Sequence, residues 1–391
     1  MFSRTIRIAG VLAAACLAST PAFAQRIKAG SAEPYQGGVP AYAAGLPGVD
    51  RTQVNVETVT VPGATFTRIH FTEFNLGPGD VLTVSSPDGA ETHYYTGRGP
   101  NGTGEFWAFT TDGDTAVVTV HAGAGGPDRG KERYGYRIDQ VVRGEISLNE
   151  EPGDPRSGVK TQVICGTNGN QNVACHLPAL DAVNAQRPVA RLTFMSGGSS
   201  FLCTGWLVRG SNANTLITNN HCVSTQAEVS TVQARFNHQT TTCTGTTLAP
   251  VTNFAGNTFL RTNGALDYTL LTLSGNPEAT FGELIPTTAA IGMGNLIWVV
   301  QHPGGQPKKV GMWEDAAQTQ RCNIDELPGG TDFGYACDTQ GGSSGSAVLI
   351  AGTNRVIGLH HVGISGSFCR NRGVRVAQIC THAGALLTCA P

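Results

Sequence analysis

The sequence has little charge and no long apolar run beyond its first two dozen residues. Of its 391 residues 14% are charged, and 26 Lys and Arg against 28 Asp and Glu give a net charge of -2. No basic surface therefore points to nucleic acid, and no acidic tail is present. The lack of a later apolar stretch of spanning length argues against a membrane anchor.

Cysteine is nearly absent from the first 160 residues, where Cys16 stands alone, and ten cysteines follow. An even number of cysteines in an exported chain predicts disulfides. Zinc binding would require short paired Cys spacings or clustered His ligands, and the sequence has neither. It also lacks a dedicated calcium ligand string. We therefore expect no metal and no cofactor.

The first 24 residues have the layout of a secretory signal peptide. Arg4 and Arg7 precede an apolar run over residues 8–18, and a small-x-small cleavage site follows at residues 22–24. We place the mature start near Gln25 and expect a secreted protein, either extracellular or periplasmic.

Residues 25–144 are predicted to form an all-β sandwich. The 51 glycines and recurring short runs of Thr, Ser, Asn and Val favour many short strands over long helices. Alternating polar and apolar segments lie at residues 54–59, 67–71, 81–84, 116–120 and 134–138. No catalytic constellation is present, so the region is either a prosegment or an accessory binding module.

Residues 145–160 are polar and rich in Pro and Gly, which suits an exposed linker. Arg156 or Lys160 is a candidate site of proteolytic maturation. The cysteine-containing remainder, residues 161–391, forms a second domain of short strands and turns. A 391-residue chain fits two domains.

Residues 341–348, Gly-Gly-Ser-Ser-Gly-Ser-Ala-Val, are the strongest local signal for chemistry. Small residues on both sides let the backbone fold tightly around Ser344. Its own N–H and that of Gly342 can then point at one oxyanion. A Gly and Ser cluster alone is more often a plain turn, so the assignment depends on partners elsewhere.

Two further residues supply those partners. His221 follows an apolar strand and precedes Cys222, and Asp267 opens the apolar strand at residues 268–273. An imidazole can take the serine proton, and a carboxylate can fix its tautomer. The order His, Asp, Ser on two all-β halves is that of the chymotrypsin-like double barrel.

The second domain resembles bacterial trypsin-like peptidases, most closely the lysyl endopeptidase group. The similarity covers roughly residues 161–376, and its motifs lie at residues 203–208, 266–271, 302–309, 342–346 and 356–361. The resemblance implies the double-barrel fold and serine endopeptidase activity. It also implies the disulfides Cys203–Cys222, Cys175–Cys243 and Cys165–Cys369. Proximity alone pairs the remaining cysteines as Cys322–Cys337 and Cys380–Cys389.

The sequence departs from the pattern of related enzymes at two places. Ser343 stands where zymogen-activated animal trypsins carry Asp, so we expect no ion-pair switch with a new N-terminus. Residues 370–372, Arg-Asn-Arg, stand where lysyl endopeptidases place a specificity Asp. Lysine specificity is therefore not carried over.

The specificity pocket gives conflicting signals. Asp338 precedes Ser344 by six residues, the spacing at which trypsins place the carboxylate for Arg or Lys, and it favours a basic P1 residue. Thr339 and His360 match positions that glutamyl endopeptidases use for an acidic side chain. Gly363 is a further candidate for substrate contact.

The sequence predicts a secreted serine endopeptidase that acts on proteins or peptides through an acyl-enzyme. We expect a monomer without nucleic-acid partners. An esterase is disfavoured because such enzymes usually place His last and Ser on a strand-to-helix elbow. A non-catalytic binding protein on the same fold is disfavoured because such proteins typically lose a triad member.

Overall fold

The structure, a computed structural model, describes residues 26–43, 51–123, 133–148, 164–177, 179–364 and 369–391. The predicted signal peptide, its cleavage point at Gln25 and the candidate processing residues Arg156 and Lys160 lie outside these ranges. Among the described residues, no helix has the length and apolarity needed to cross a membrane.

The N-terminal domain is a β-sandwich of two sheets. Its strands are β1 (Ile27–Val39), β2 (Thr52–Thr60), β3 (Phe66–Asn75), β4 (Val81–Ser85), β5 (Thr92–Tyr95), β6 (Phe106–Trp107), β7 (Thr111–Asp112), β8 (Thr115–Ala122) and β9 (Gly135–Gly144). One sheet has the order β2-β8-β4-β5; in the other, β1, β9, β3 and β6 are neighbours and β7 pairs with β3.

Alternation of side chains explains the sandwich core. In β8, Ala116, Val118 and Val120 are fully buried, while Thr115 before them and Val117 among them are partly exposed. These residues pack with Phe71 and other inward side chains of the opposite sheet. A strand that buries one face shows this period of two, so the predicted sandwich is confirmed.

The first barrel of the second domain is closed by six antiparallel strands. They are β11 (Val189–Ser196), β12 (Ser199–Leu207), β13 (Thr215–Thr218), β14 (Gln233–Phe236), β15 (Thr252–Asn263) and β16 (Tyr268–Leu273). The order is β11-β14-β15-β16-β13-β12, and β12 pairs back with β11. Short helices α1 (Leu180–Gln186), α2 (Gln226–Val229) and α3 (Pro277–Phe281) lie outside the strands.

The second barrel is formed mainly by residues that follow the first barrel in the chain. Its sheet contains β10 (Gln171–Asn172), β17 (Ile285–Pro286), β18 (Ile297–Gln301), β19 (Lys309–Gly311), β20 (Ile324–Glu326), β21 (Asp332–Tyr335), β22 (Ala347–Ile350), β23 (Arg355–Ile364) and β24 (Arg370–Arg375). Strands β18-β22-β23-β24-β21-β20 are consecutive neighbours, and a bridge between Leu296 and Asn323 returns to the start of β18. Helix α4 (Val376–Ala383) follows β24.

The two barrels pack on a common apolar core. Trp206 and Leu270 of the first barrel and Val300 and Leu359 of the second belong to one buried cluster. The predicted double-barrel architecture is therefore confirmed. All five predicted disulfides are present: Cys165–Cys369, Cys175–Cys243, Cys203–Cys222, Cys322–Cys337 and Cys380–Cys389.

Two features at the domain junction differ from the sequence-based expectation. Strand β1 was not predicted, and it joins both domains because residues 27–31 pair with β12 while residues 30–39 pair with β9. Within the predicted linker, Ile146 and Leu148 are buried and not exposed. These two apolar side chains pack against the junction, which the surrounding polar composition concealed.

Candidate active site

Strand ends from both barrels carry the three predicted triad residues. His221 follows β13, Asp267 immediately precedes β16, and Ser344 lies in the turn before β22. The Asp267 carboxylate accepts from His221 Nδ1 at 2.7 Å and from the His221 backbone N–H at 3.0 Å. Two contacts from one carboxylate fix both the ring and the main chain of the histidine.

Ser344 lies beside the histidine turn. Its carbonyl oxygen is 4.0 Å from Cys222 Sγ, and that cysteine is bonded to Cys203 in β12. Neither Ser344 Oγ nor His221 Nε2 has a hydrogen-bond partner among the described residues. Both atoms are therefore available to a bound ligand.

The nucleophile turn leaves two backbone donors free. In the part of the chain that the structure describes, the N–H groups of Gly342 and Ser344 make no hydrogen bond. Gly342 has φ +88°, and a Cβ there would lie 2.8 Å from both Gly305 N and His302 O. The predicted oxyanion donors thus lie in a turn that requires glycine.

A neutral network replaces the ion pair found in animal trypsins. Ser343 Oγ donates to Gln301 Oε1 at 2.6 Å and accepts from the Gln340 N–H at 3.1 Å. Thr204 Oγ1 donates to Gly342 O at 2.8 Å, which ties the turn to the first barrel. These uncharged hydrogen bonds hold the turn among the described residues.

The Asp267 carboxylate has a second imidazole neighbour that sequence reasoning missed. His361 Nδ1 lies 3.4 Å from Asp267 Oδ2, and its Nε2 lies 3.2 Å from Asp332 Oδ2. Burial alone would lower the pKa of His361, but its bonds to Asp267 and Asp332 raise it to about 9. His361 is therefore a cation at neutral pH, placed between two carboxylates.

The pKa of Asp267 responds to both imidazoles. Burial alone would raise it, but the hydrogen bonds from His221 and His361 outweigh burial and lower the pKa to about 2. Asp267 also has φ +40°, a left-handed conformation rare for a non-glycine residue. Its main-chain carbonyl accepts from Asn219 Nδ2 at 2.7 Å, which supports this conformation.

His360 is buried behind the nucleophile turn with one ring nitrogen unpaired. Its Nδ1 lies 2.7 Å from the hydroxyl of buried Tyr335, and its Nε2 has no partner in the described chain. Burial, with the neighbouring His361 and His221, lowers the pKa of His360 to about 3. In the tautomer in which Tyr335 donates to Nδ1, the neutral ring carries its proton on Nε2.

Asp338 has different partners from those expected of a pocket carboxylate. Its Oδ1 accepts from Cys165 N at 2.8 Å and its Oδ2 from Gly169 N at 2.6 Å. Burial raises the pKa of Asp338 to about 6 despite these two bonds. Both oxygens thus anchor the chain at residues 165–169, which argues against a role in binding a basic side chain.

Two other predicted pocket residues, Thr339 and Gly363, are neighbours of Asn371 in β24. The Thr339 hydroxyl donates to Asn371 Oδ1 at 2.7 Å, so it is already engaged. Gly363 lies in β23 opposite Asn371. Arg372 pairs with Glu326 at 3.0 Å, and Arg370 lies 3.2 Å from Asp325.

One group of metal-ligand type occurs among the described residues. Cys203, His221 and Cys222 bring their ligand atoms within 4.8 Å of one another. Both sulfurs belong to one disulfide, and the imidazole pairs with Asp267. This group therefore holds the histidine in place and has no free thiolate to offer a metal.

A double barrel with His, Asp and Ser at the junction defines the chymotrypsin-like serine protease class. The family model "Lysyl endopeptidase, C-terminal domain" matches residues 166–375, more than half of the chain. The chain belongs to the lysyl endopeptidase C-terminal domain family.

Two curated relatives and one solved structure illustrate the similarity. "Secreted RxLR effector protein 73" of Plasmopara viticola is 29% identical over 341 residues, covering 81% of this chain and 82% of that protein. "Lysyl endopeptidase" of Pseudomonas aeruginosa is 26% identical over 286 residues, covering 70% of this chain and 59% of that protein. A Glu endopeptidase structure is 21% identical with a TM-score of 0.42, covering 57% of this chain and 99% of that chain.

Proposed function

We propose that this protein is a secreted serine endopeptidase with His221, Asp267 and Ser344 as its catalytic triad. The observation that carries the proposal is the double contact of the Asp267 carboxylate with the ring and backbone of His221, beside a nucleophile turn with two free N–H donors. Membership of the lysyl endopeptidase family supports the same reaction.

In the proposed reaction, Ser344 Oγ attacks the scissile carbonyl carbon while His221 Nε2 takes the hydroxyl proton. The N–H groups of Gly342 and Ser344 stabilise the oxyanion. The imidazolium then donates its proton to the leaving amine, which gives the acyl-enzyme. Water activated by the same imidazole hydrolyses the ester and regenerates the serine.

We propose that the enzyme prefers an acidic P1 residue, the alternative to the basic residue that the Asp338 spacing favours. Asp338 is already bonded to two backbone N–H groups. His360 instead has an unpaired, buried Nε2, and a neutral imidazole N–H can donate to a P1 carboxylate. An unsatisfied buried donor gains most from a ligand that accepts its hydrogen bond.

Paired variants test the P1 preference. With matched peptides that differ only at P1, we expect His360→Leu to lower kcat/KM for Glu by about 100-fold and to leave Gln peptides within a few-fold, because a charge-assisted bond is lost. Asp338→Asn is the control, with little expected effect on the Glu-to-Lys ratio. Wild-type cleavage after Lys that is lost in Asp338→Asn would contradict the assignment.

Fluorophosphonate labelling tests the triad separately. We expect wild type to be labelled and to cleave casein, and Ser344→Ala to be unlabelled and inactive. Labelling without protein cleavage would favour an esterase.

Secretion and maturation are part of the proposal. The five disulfides suit an oxidising compartment. N-terminal sequencing of the exported protein should find a start near Gln25 for the uncut form and a second start at residues 157–161 if Arg156 or Lys160 is cleaved. A mature protein that only begins near Gln25 would contradict processing at those residues.

A further inference from the structure

The N-terminal domain and the first barrel share one continuous sheet. Strand β1 pairs with β12 through Ile27↔Leu202 and Lys28↔Phe201, and the rest of β1 pairs with β9. An additional bond runs from Ala32 N to Gly198 O at 2.9 Å. Separation of the two parts would expose these backbone groups along the edge of β12.

An apolar cluster also draws on both parts. It contains the following buried residues, the last two from the barrel: Ala29, Phe66, Val142, Ile146, Leu148, Met195 and Leu202. Interfaces between independent domains are usually more polar and permit relative motion. A shared core of this kind instead favours one rigid unit.

Buried polar groups cross the same interface. Arg68, 1% exposed, donates through Nη2 to Thr231 O at 2.6 Å. The Thr110 N–H donates to Gln233 Oε1 at 2.9 Å, and the Glu91 carboxylate pairs with buried Arg235. Removing one partner of a buried charge pair leaves an uncompensated charge, so separation of the parts is opposed electrostatically as well.

Arg26 extends this interface to the catalytic histidine. Its Nη1 donates to the carbonyl of Cys222, the residue after His221, at 3.2 Å. Its guanidinium lies 4.2 Å from the ring centroid of Phe201, and Nη2 donates to Ser196 Oγ at 2.9 Å. Glu228 completes the arrangement at 3.4 Å from Nη1. The start of β1 therefore braces the turn that carries the triad histidine.

We propose that residues 26–148 are a permanent component of the active enzyme, retained after any cut in residues 149–163, and that Arg26 is a positioning residue for His221. The catalytic half of this inference rests on the proposed function. The retention half depends only on the interface.

A nicked protein tests retention. A recognition sequence for a site-specific protease is inserted after Gly153 in the full chain, with Ser344→Ala to prevent self-digestion. After the cut, we expect both fragments to co-elute on gel filtration at nanomolar concentration. Fragments that elute separately would overturn the inference, and the same nick in active enzyme shows whether activity depends on retention.

Two carboxylate variants test whether the buried pair of Glu91 and Arg235 holds the fragments together. Glu91→Gln weakens the buried pair with Arg235 and should accelerate fragment exchange at least tenfold. Glu73→Gln is the matched control, because Glu73 pairs with Arg137 on the surface, and exchange should stay unchanged. Equal exchange in the two variants would contradict the role of the buried pair.

Kinetics test the positioning role. We expect Arg26→Met to lower kcat about fivefold or more with KM within twofold, since a misplaced general base slows chemistry more than binding. Arg26→Lys should restore part of kcat. Lys28→Met is the control, because Lys28 pairs only with exposed Glu145 and should leave kcat unchanged. A rise in KM alone would contradict the positioning role of Arg26. The role would also be contradicted if Arg26→Met loses folding while its folded fraction keeps the wild-type kcat.

The two proposals fail in distinguishable ways. If Ser344 is not labelled by a fluorophosphonate, the proposed function fails while gel filtration still decides retention. If labelling is normal and the fragments separate with full activity, only the retention proposal fails.

Discussion

At the scale of single residues, the pairing of Asp267 with His221 carries most of the proposed chemistry. The carboxylate bonds the His221 ring at Nδ1, which leaves Nε2 without a partner in the described chain, and it bonds the histidine backbone as well. We expect Asp267→Asn to lower kcat by about 10⁴-fold, because the amide favours the wrong tautomer. Asp315→Asn on the surface is the control. A loss below tenfold in folded Asp267→Asn would contradict the assigned role.

His361 adds a pH-dependent contribution at the same carboxylate. Its pKa, raised to about 9 by Asp267 and Asp332, means that its contribution to stability is complete below pH 6.5 and is lost as pH rises through 9. The difference in melting temperature between wild type and His361→Asn should therefore shrink across pH 6.5–9. A difference that stays constant over this range would contradict the assignment of a charged His361.

At the scale of elements, the nucleophile turn depends on the absence of a side chain at Gly342. A Cβ at Gly342 would lie 2.8 Å from two backbone atoms, so the turn must shift and misplace an oxyanion donor. We expect Gly342→Ala to lower kcat by about 10²–10³-fold, the usual effect of losing one donor.

Gly282→Ala is the matched control for that variant. Gly282 also has a positive φ of 72°, but no atom lies within 4 Å of the position that a methyl group would take there. Backbone strain alone should therefore reduce stability without a specific loss of kcat. Equal losses of kcat in both variants would indicate that strain, and not the clash, governs the turn.

Strands that bury one face could be predicted from their alternating residues. Strands that depend on pairing with distant parts of the chain could not. Strand β8 alternates clearly and was predicted, but β1 was missed because Pro34, Gly37 and Gly38 interrupt any alternation. That strand is stabilised by partners on both sides, which are distant in sequence. Tertiary pairing overrides local propensity in such a case.

The candidate site, like the fold, could be predicted from the sequence only in part. His221, Asp267 and Ser344 stand beside recognisable strand and turn signals, so their residue types and chain order are enough to predict a triad, and the structure brings Asp267 into contact with His221. The contact of Asp332 with His361 joins β21 to β23 and has no local signature. The spacing of Asp338 from Ser344 suggested a carboxylate that binds a basic side chain in the specificity pocket. The sequence could not show that backbone N–H groups already donate to both of its oxygens.

At the scale of the whole molecule, the pair formed by Glu91 and Arg235 links domain association to pH. Burial alone would raise the pKa of Glu91, but the His93 hydrogen bond and the Arg235 charge lower it to about 2. Its stabilising contribution is therefore present above pH 4.5 and is lost as pH falls through 2.

We expect Glu91→Gln to reduce the free energy of unfolding at pH 7 by about 3 kcal/mol, as for other broken buried pairs. The deficit should shrink between pH 4.5 and 2. Chemical denaturation across this range measures it, with Glu73→Gln as the surface control. A deficit independent of pH would contradict the buried-pair account.

The most direct test of the proposed activity is cleavage of a peptide library by the secreted protein, with Ser344→Ala as control. We expect cuts after Glu or Asp that vanish in the variant. Cuts after Lys or Arg that also vanish would keep the triad and overturn the pocket assignment. The absence of any Ser344-dependent cleavage by correctly folded protein would contradict the proposal that this is a serine endopeptidase.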